Sequence, residues 1–247
     1  AGTKSMITQD TRDAIEDILD APFTSHSVSQ VLQTAKQLQK IITTAPDAAI
    51  SSITKTQNNH HYAANHSVDT AILAETLAKE LDWPPEKRLT LVSAALTMNI
   101  SMTELQNRLF HHTGNLDADD KAQIESHPTR AMSILHTAGV KNRLWLEAVI
   151  CHHETIDGKG YPRALKGSQI PVSARILAVA DIYTTMISPR SVRNGLSPNK
   201  DMFKEFMKRS QLELKLSANF LWKTFVLPAG FLINLNSYDK CMTSGRS

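Results

Sequence analysis

The chain is poor in cysteine, glycine and aromatic residues. Its 2 cysteines among 247 residues, Cys151 and Cys241, lie far apart and outside any CxxC spacing. That excludes a disulfide framework or zinc-finger cluster and points to a reducing, cytoplasmic setting. No glycine falls between Gly2 and Gly114. That stretch therefore has little access to positive φ and reads as helices joined by polar or proline-containing turns. No apolar run approaches the roughly 18 residues a membrane-crossing helix needs, and the opening AGTKSMITQD lacks the apolar centre of a signal peptide. Charge of either sign is nearly balanced, 27 basic against 24 acidic residues, and a net +3 is too weak to gather a nucleic-acid polymer. Histidine is missing from the last third, all 10 lying between His26 and His153.

What is present is a globular composition, 41% hydrophobic and 21% charged, which excludes disordered and fibrous classes. Apolar spacing predicts an all-α bundle. A helical lead-in, broken at Pro22 and Pro46, occupies residues 1–55, a main domain 56–235, and a flexible tail 236–247. Helices are expected at about Tyr62 to Leu81, Glu86 to Met98, Leu144 to His153 and Val172 to Ile187. Between them, a helix from about Ala118 is expected to stop at His127, because a residue before proline is disfavoured in the α region, and Pro128 to open a new one. Beyond Ile187, an amphipathic helix is expected at Lys200 to Lys215 and a short strand or hairpin in FVLPAGFLINLN.

Four separated segments turn metal-capable side chains inward: His66, His127, the pair His152 and His153, and Asp181. Imidazole and carboxylate suit Zn, Fe, Mn or Ni, and bundles build such sites from facing helices. Singly, each histidine reads as a hydrogen-bonded structural residue, and Asp181 as the partner of Arg175 or Arg190; together they favour a site. The pairs His60-His61 and His111-His112 sit in polar surroundings and read as surface residues, and Cys151 as a buried structural thiol. Between His152 and Pro171 lies a loop, ETIDGKGYPRALKGSQIP, whose Gly158 and Gly160 permit close backbone approach among Lys159, Arg163 and Lys166. Arg190 and Arg193 farther on offer a phosphate clamp.

The stretch HHETIDGKGYPRALKGSQIPVSARILAVADIYTTM resembles, nearly position by position, the signature of HD-GYP domains, the cyclic di-GMP phosphodiesterases of the HD superfamily. His66-Ser67 resembles the family's first metal histidine, His127-Pro128 a later one, and RSVR at 190–193 its RPYR. The resemblance spans roughly Ile53 to Arg193 and implies an all-α HD-superfamily bundle. It also implies His66, His127, His152, His153 and Asp181 as metal ligands, and Lys159, Gly160, Tyr161, Arg163, Arg190 and Arg193 as residues facing a cyclic dinucleotide.

The likeness breaks at AALTMNISM, where the family carries AALLHDIGK. Met98 replaces a ligand histidine, Asn99 the aspartate that bridges two metals, and Met102 a phosphate-binding lysine; Tyr62 stands where some members have a glutamate ligand. A dinuclear hydrolase needs the anionic bridge, and a thioether suits soft Cu(I) rather than Mn, Fe or Zn. The expectation is a degenerate domain holding one divalent transition metal (Fe, Mn, Zn or Ni) or none, acting by sensing cyclic di-GMP or binding a signalling protein. The alternatives are an active metal-dependent phosphodiesterase built on the surviving ligands, and a structural module that forms a homodimer.

Overall fold

A computed structural model describes residues 2–53, 61–112 and 114–188, and these form nine α-helices with no strand among them. In order they are α1 (Gly2–Asp20), α2 (Ser25–Thr44), α3 (Pro46–Ile53), α4 (Tyr62–Glu80), α5 (Pro85–Thr97), α6 (Thr103–Phe110), α7 (Ala118–Thr137), α8 (Arg143–Cys151) and α9 (Val172–Ile187). No described helix is long and apolar enough to cross a membrane. The expected Lys200 to Lys215 helix, the C-terminal hairpin, the 236–247 tail, Arg190, Arg193 and Cys241 lie outside the described residues.

The fold is organised around α4, the most buried helix, which packs on α5 and α9. Its sequence explains this position: small alanines alternate with Val68, Ile72, Leu73 and Leu77, so neighbouring helices approach closely on several sides. One apolar core joins the lead-in to the rest, with Ile15, Val31, Leu38 and Ile42 in the same cluster as Leu73, Leu96 and Leu177. α1 is longer than the apolar pattern from Thr11 suggests, because it begins at Gly2.

Two helix ends show how the chain turns. α7 closes with Gly139 at φ +96, Gly139 N donating to His136 O (3.0 Å) and Val140 N to Leu135 O (3.0 Å). α4 closes in the same way without a glycine: Asp82 takes φ +55, its N donates to Lys79 O (3.0 Å), and Trp83 N donates to Ala78 O (3.0 Å). Aspartate tolerates the left-handed region better than most residues, so a glycine-free stretch still reaches positive φ here.

The expected break at Pro128 is corrected. α7 runs unbroken from Ala118 to Thr137 with Pro128 inside it. A proline within a helix removes one backbone donor, and the carbonyl it would have served is that of Ile124. That carbonyl is taken by the side chain of the residue beside the proline: His127 Nδ1 lies 2.5 Å from Ile124 O.

Candidate metal centre

Four helices deliver the centre. α7 presents His127, wholly buried. The C-terminal end of α8 presents His152 and His153 just past its last residue, Cys151. α9 presents Asp181, and α4 presents His66.

The ligand atoms of His127, His152 and His153 all lie within 4.8 Å of one another. The rings of His127 and His152 meet edge to face at 5.1 Å, those of His127 and His153 at 5.0 Å. His66 and Asp181 form an adjoining pair, His66 Nε2 donating to Asp181 Oδ1 at 2.7 Å. Among described residues, the partner of Asp181 is thus His66. Arg175, one expected partner, instead donates to Ile170 O (3.0 Å) and Gly167 O (2.6 Å), tying the long loop to the start of α9.

Backbone carbonyls fix the two inner rings. His152 Nδ1 lies 2.6 Å from Val149 O, one of the four carbonyls that the end of α8 leaves without a helical donor. His127 Nδ1 is held by Ile124 O. A carbonyl only accepts, so both Nδ1 atoms carry the proton and both Nε2 atoms present lone pairs. Those two Nε2 atoms face each other at 3.2 Å.

Two lone pairs at that distance in a buried site repel unless a cation lies between them. A metal about 2.0–2.1 Å from each nitrogen, with ligand angles between octahedral and tetrahedral, sets the nitrogens about 2.9–3.4 Å apart. The residues therefore fit a divalent ion. Burial and the neighbouring His152 ring push His127 down to about 3, and burial lowers His152 and His153 as well, so all three are neutral and ready to ligate near pH 7. For Asp181, burial acts upward, but the hydrogen bond from His66 and the imidazoles of His66, His153 and His152 outweigh it and hold the carboxyl below the usual carboxylate range.

The long loop closes one side. Tyr161 stacks on His153 with ring centroids 4.8 Å apart, and Tyr161 N donates to His153 O (3.2 Å). Glu154, buried, accepts from Arg163 N (2.7 Å) and Leu165 N (2.9 Å), folding the loop back on itself. A Cβ at Gly160 would stand 2.4 Å from Thr155 N and 2.5 Å from Glu154 Cα, so only glycine fits. Gly158 is needed for its φ of +76. Lys159 is exposed and 3.5 Å from Asp157, and the Arg163 side chain is exposed too.

Beside the centre is a cavity of about 420 Å³ that Asp181, His153, Asn99, Met102, Tyr62 and Phe110 help to line. Met98 is fully buried in the main core. Asn99 is 4% exposed, and its Oδ1 has no hydrogen-bond partner among the described residues. Tyr62 stacks on His66 with centroids 5.6 Å apart. His112, read as a surface residue, is half-buried and lines this cavity, while His61 is exposed and pairs with Glu16. Nothing in local spacing marks His112, Phe110 or Glu154, because their partners come from other helices or from 9 to 11 residues along the loop. Cys151 is buried as expected, and desolvation pushes its thiol up to about 11.

The HD domain family model matches residues 28–204. Over 146 residues the chain is 30% identical to a 3'3'-cGAMP-specific phosphodiesterase of Vibrio cholerae, covering 57% of this chain and 32% of that protein. Over 189 residues it is 25% identical to a cyclic di-GMP phosphodiesterase of Pseudomonas aeruginosa, covering 76% of this chain and 46% of that one. The chain thus spans between about a third and a half of the length of these curated relatives. A solved HD-GYP-type protein from Bdellovibrio bacteriovorus shares the fold with a TM-score of 0.74 at 18% identity, over 88% of this chain and 70% of that one. The helical bundle, the imidazole cluster at its centre and the family match over most of its length agree: the chain belongs to the HD domain family, as an HD-GYP domain.

Proposed function

We propose that this is a degenerate HD-GYP domain of cyclic dinucleotide signalling in the cytoplasm, which retains a single metal position and has lost dinuclear phosphodiester hydrolysis. His127, His152 and His153 would hold the ion, with Asp181 and His66 beside it; when bound, it supplies a Lewis acid. The observation that carries this reading is the pair Met98 and Asn99. The Met98 side chain belongs to the apolar core, and at 99 a neutral amide lines the cavity where the family places a bridging carboxylate. Without an anionic bridge, two cations held a few Å apart repel, and no shared water is acidified between them. Output would then come from binding a cyclic dinucleotide, with the Tyr161 loop and Arg190 and Arg193 contributing, or from contact with a signalling protein or a second copy of the chain.

The test is metal analysis of the full chain, with titration and turnover of cyclic di-GMP and 3'3'-cGAMP in Mn²⁺ or Fe²⁺. About one metal per chain and no turnover are expected. Turnover abolished by His152→Ala would overturn the degenerate reading in favour of an active phosphodiesterase, which the preserved imidazole cluster favours. Absence of bound metal would leave a structural helical module.

A further inference from the structure

The metal reading does not explain why a proline is tolerated in the middle of a 20-residue helix. An interior proline removes a hydrogen bond and crowds the preceding turn, and nothing forces one into α7, where the chain continues as regular helix to Thr137. The position of the missing donor is informative. The carbonyl four residues before Pro128 is that of Ile124, and this same atom accepts the His127 Nδ1–H at 2.5 Å. Had residue 128 an amide proton, that proton would point at the Ile124 oxygen and compete with the imidazole for it.

We propose that Pro128 is a positioning residue for the metal centre: by withholding its backbone donor it reserves the Ile124 carbonyl for His127, fixing that ring as the Nδ1–H tautomer and directing Nε2 at His152. The centre contains its own comparison. His152 achieves the same arrangement at a helix end, where Val149 O is free of a backbone donor without any proline. His127 sits in mid-helix, where every carbonyl is normally taken, so a carbonyl must be released, and proline one residue after the histidine releases the one within reach of Nδ1. The turn before α6 adds a second restraint, Ser101 Oγ donating to His127 O at 2.8 Å. That bond holds the backbone but leaves the ring free to rotate, so the tautomer depends on Ile124 O.

The inference rests on the metal reading only for its purpose; its first test needs no metal. In full-length, metal-free protein carrying ¹⁵N-labelled histidine, long-range ¹H–¹⁵N correlation reads the tautomer of His127, assigned by the signals lost in His127→Gln. The Nδ1–H form alone is expected. In Pro128→Ala, the Nε2–H form should appear, and affinity for Zn²⁺ or Mn²⁺ by chelator competition should fall about 10–100-fold, the usual effect of losing a partner that orients a ligand. The melting temperature should stay level or rise, since alanine restores the helix hydrogen bond. A merely structural proline would give the opposite pairing, metal affinity tracking stability. An Nε2–H tautomer in the unsubstituted protein overturns the proposal, as does a folded Pro128→Ala with unchanged tautomer and unchanged affinity. If neither protein binds metal but the tautomer shifts, the positioning role stands and the metal reading fails.

Discussion

His127 shows how much one side chain carries. It is neutral in the folded chain down to about pH 3, against an ordinary value of 6.5, because burial and the His152 ring disfavour its charge. A lowered histidine value means the unfolded chain binds the proton first, so stability is complete above about pH 6.5 and drains away as pH falls toward 3. His152 and His153 act in the same direction. Each contributes a slope of at most about 1.4 kcal/mol per pH unit in that window. Asp181 adds to it lower down, its carboxylate contribution disappearing as pH falls below the usual carboxylate range. Melting temperature followed from pH 8 to 4 with chelator present should decline steadily from about pH 6.5; a flat profile to pH 4.5 would contradict the burial of these rings. Gly160 makes a second residue-scale prediction. Gly160→Ala forces a Cβ into the Thr155 and Glu154 backbone, with no flexible side-chain end to give way. It should cost about 1–3 kcal/mol in urea unfolding and loosen the Tyr161 stack on His153. At this scale the sequence already marked the three imidazoles and Gly160. It left the partner of Asp181 open, because His66 is 115 residues away and only the packing of α4 against α9 brings them to 2.7 Å.

Among elements, the lead-in and the centre are joined by a buried charge pair. Arg12 on α1 donates to Asp69 Oδ1 (2.5 Å) and to Asn65 O (3.0 Å) on α4, within a turn of His66. Desolvation raises the Asp69 carboxyl, with Arg12 pulling it back. Removing one member strands the other in the core, so Arg12→Ala should cost about 3–5 kcal/mol in chemical denaturation. The apolar double substitution Arg12→Met with Asp69→Leu should recover most of that. Equal losses for the two variants would mean that the pair is not desolvated as the structure has it. The helices themselves were largely readable from period and punctuation, α4, α5, α8 and α9 falling within one or two residues of their expected ends. Pro128 misled because the steric bias against α geometry in the residue before a proline is a tendency that α7 overrides, and the carbonyl left without a backbone donor is taken by the His127 side chain. Asp82 misled the turn reading in a related way, by closing α4 as a glycine would.

For the whole molecule, the proposed metal binding would be linked to folding, since the imidazoles of His127, His152 and His153 converge only once α7 and α8 are packed. An ion at 100 times its dissociation constant adds about 2.7 kcal/mol to stability, so chelation should lower the melting temperature by several degrees, and His152→Ala should abolish that difference. If Met98 and Asn99 are what limits the centre to one ion, the triple variant Met98→His, Asn99→Asp, Met102→Lys should gain a second metal equivalent by elemental analysis. One equivalent in the triple variant would place the limitation elsewhere. The sequence by itself determined the helical class, the apolar face of each helix and the HD-GYP signature, because period, turn residues and motif spacing are local properties of the chain. Only the tertiary structure decided which imidazoles share a centre, that His66 answers Asp181 among the described residues, and that the lead-in shares the core. These depend on atoms distant in sequence meeting within about 3 Å, the reach of a hydrogen bond. No periodicity encodes a distance between helices that are packed against each other.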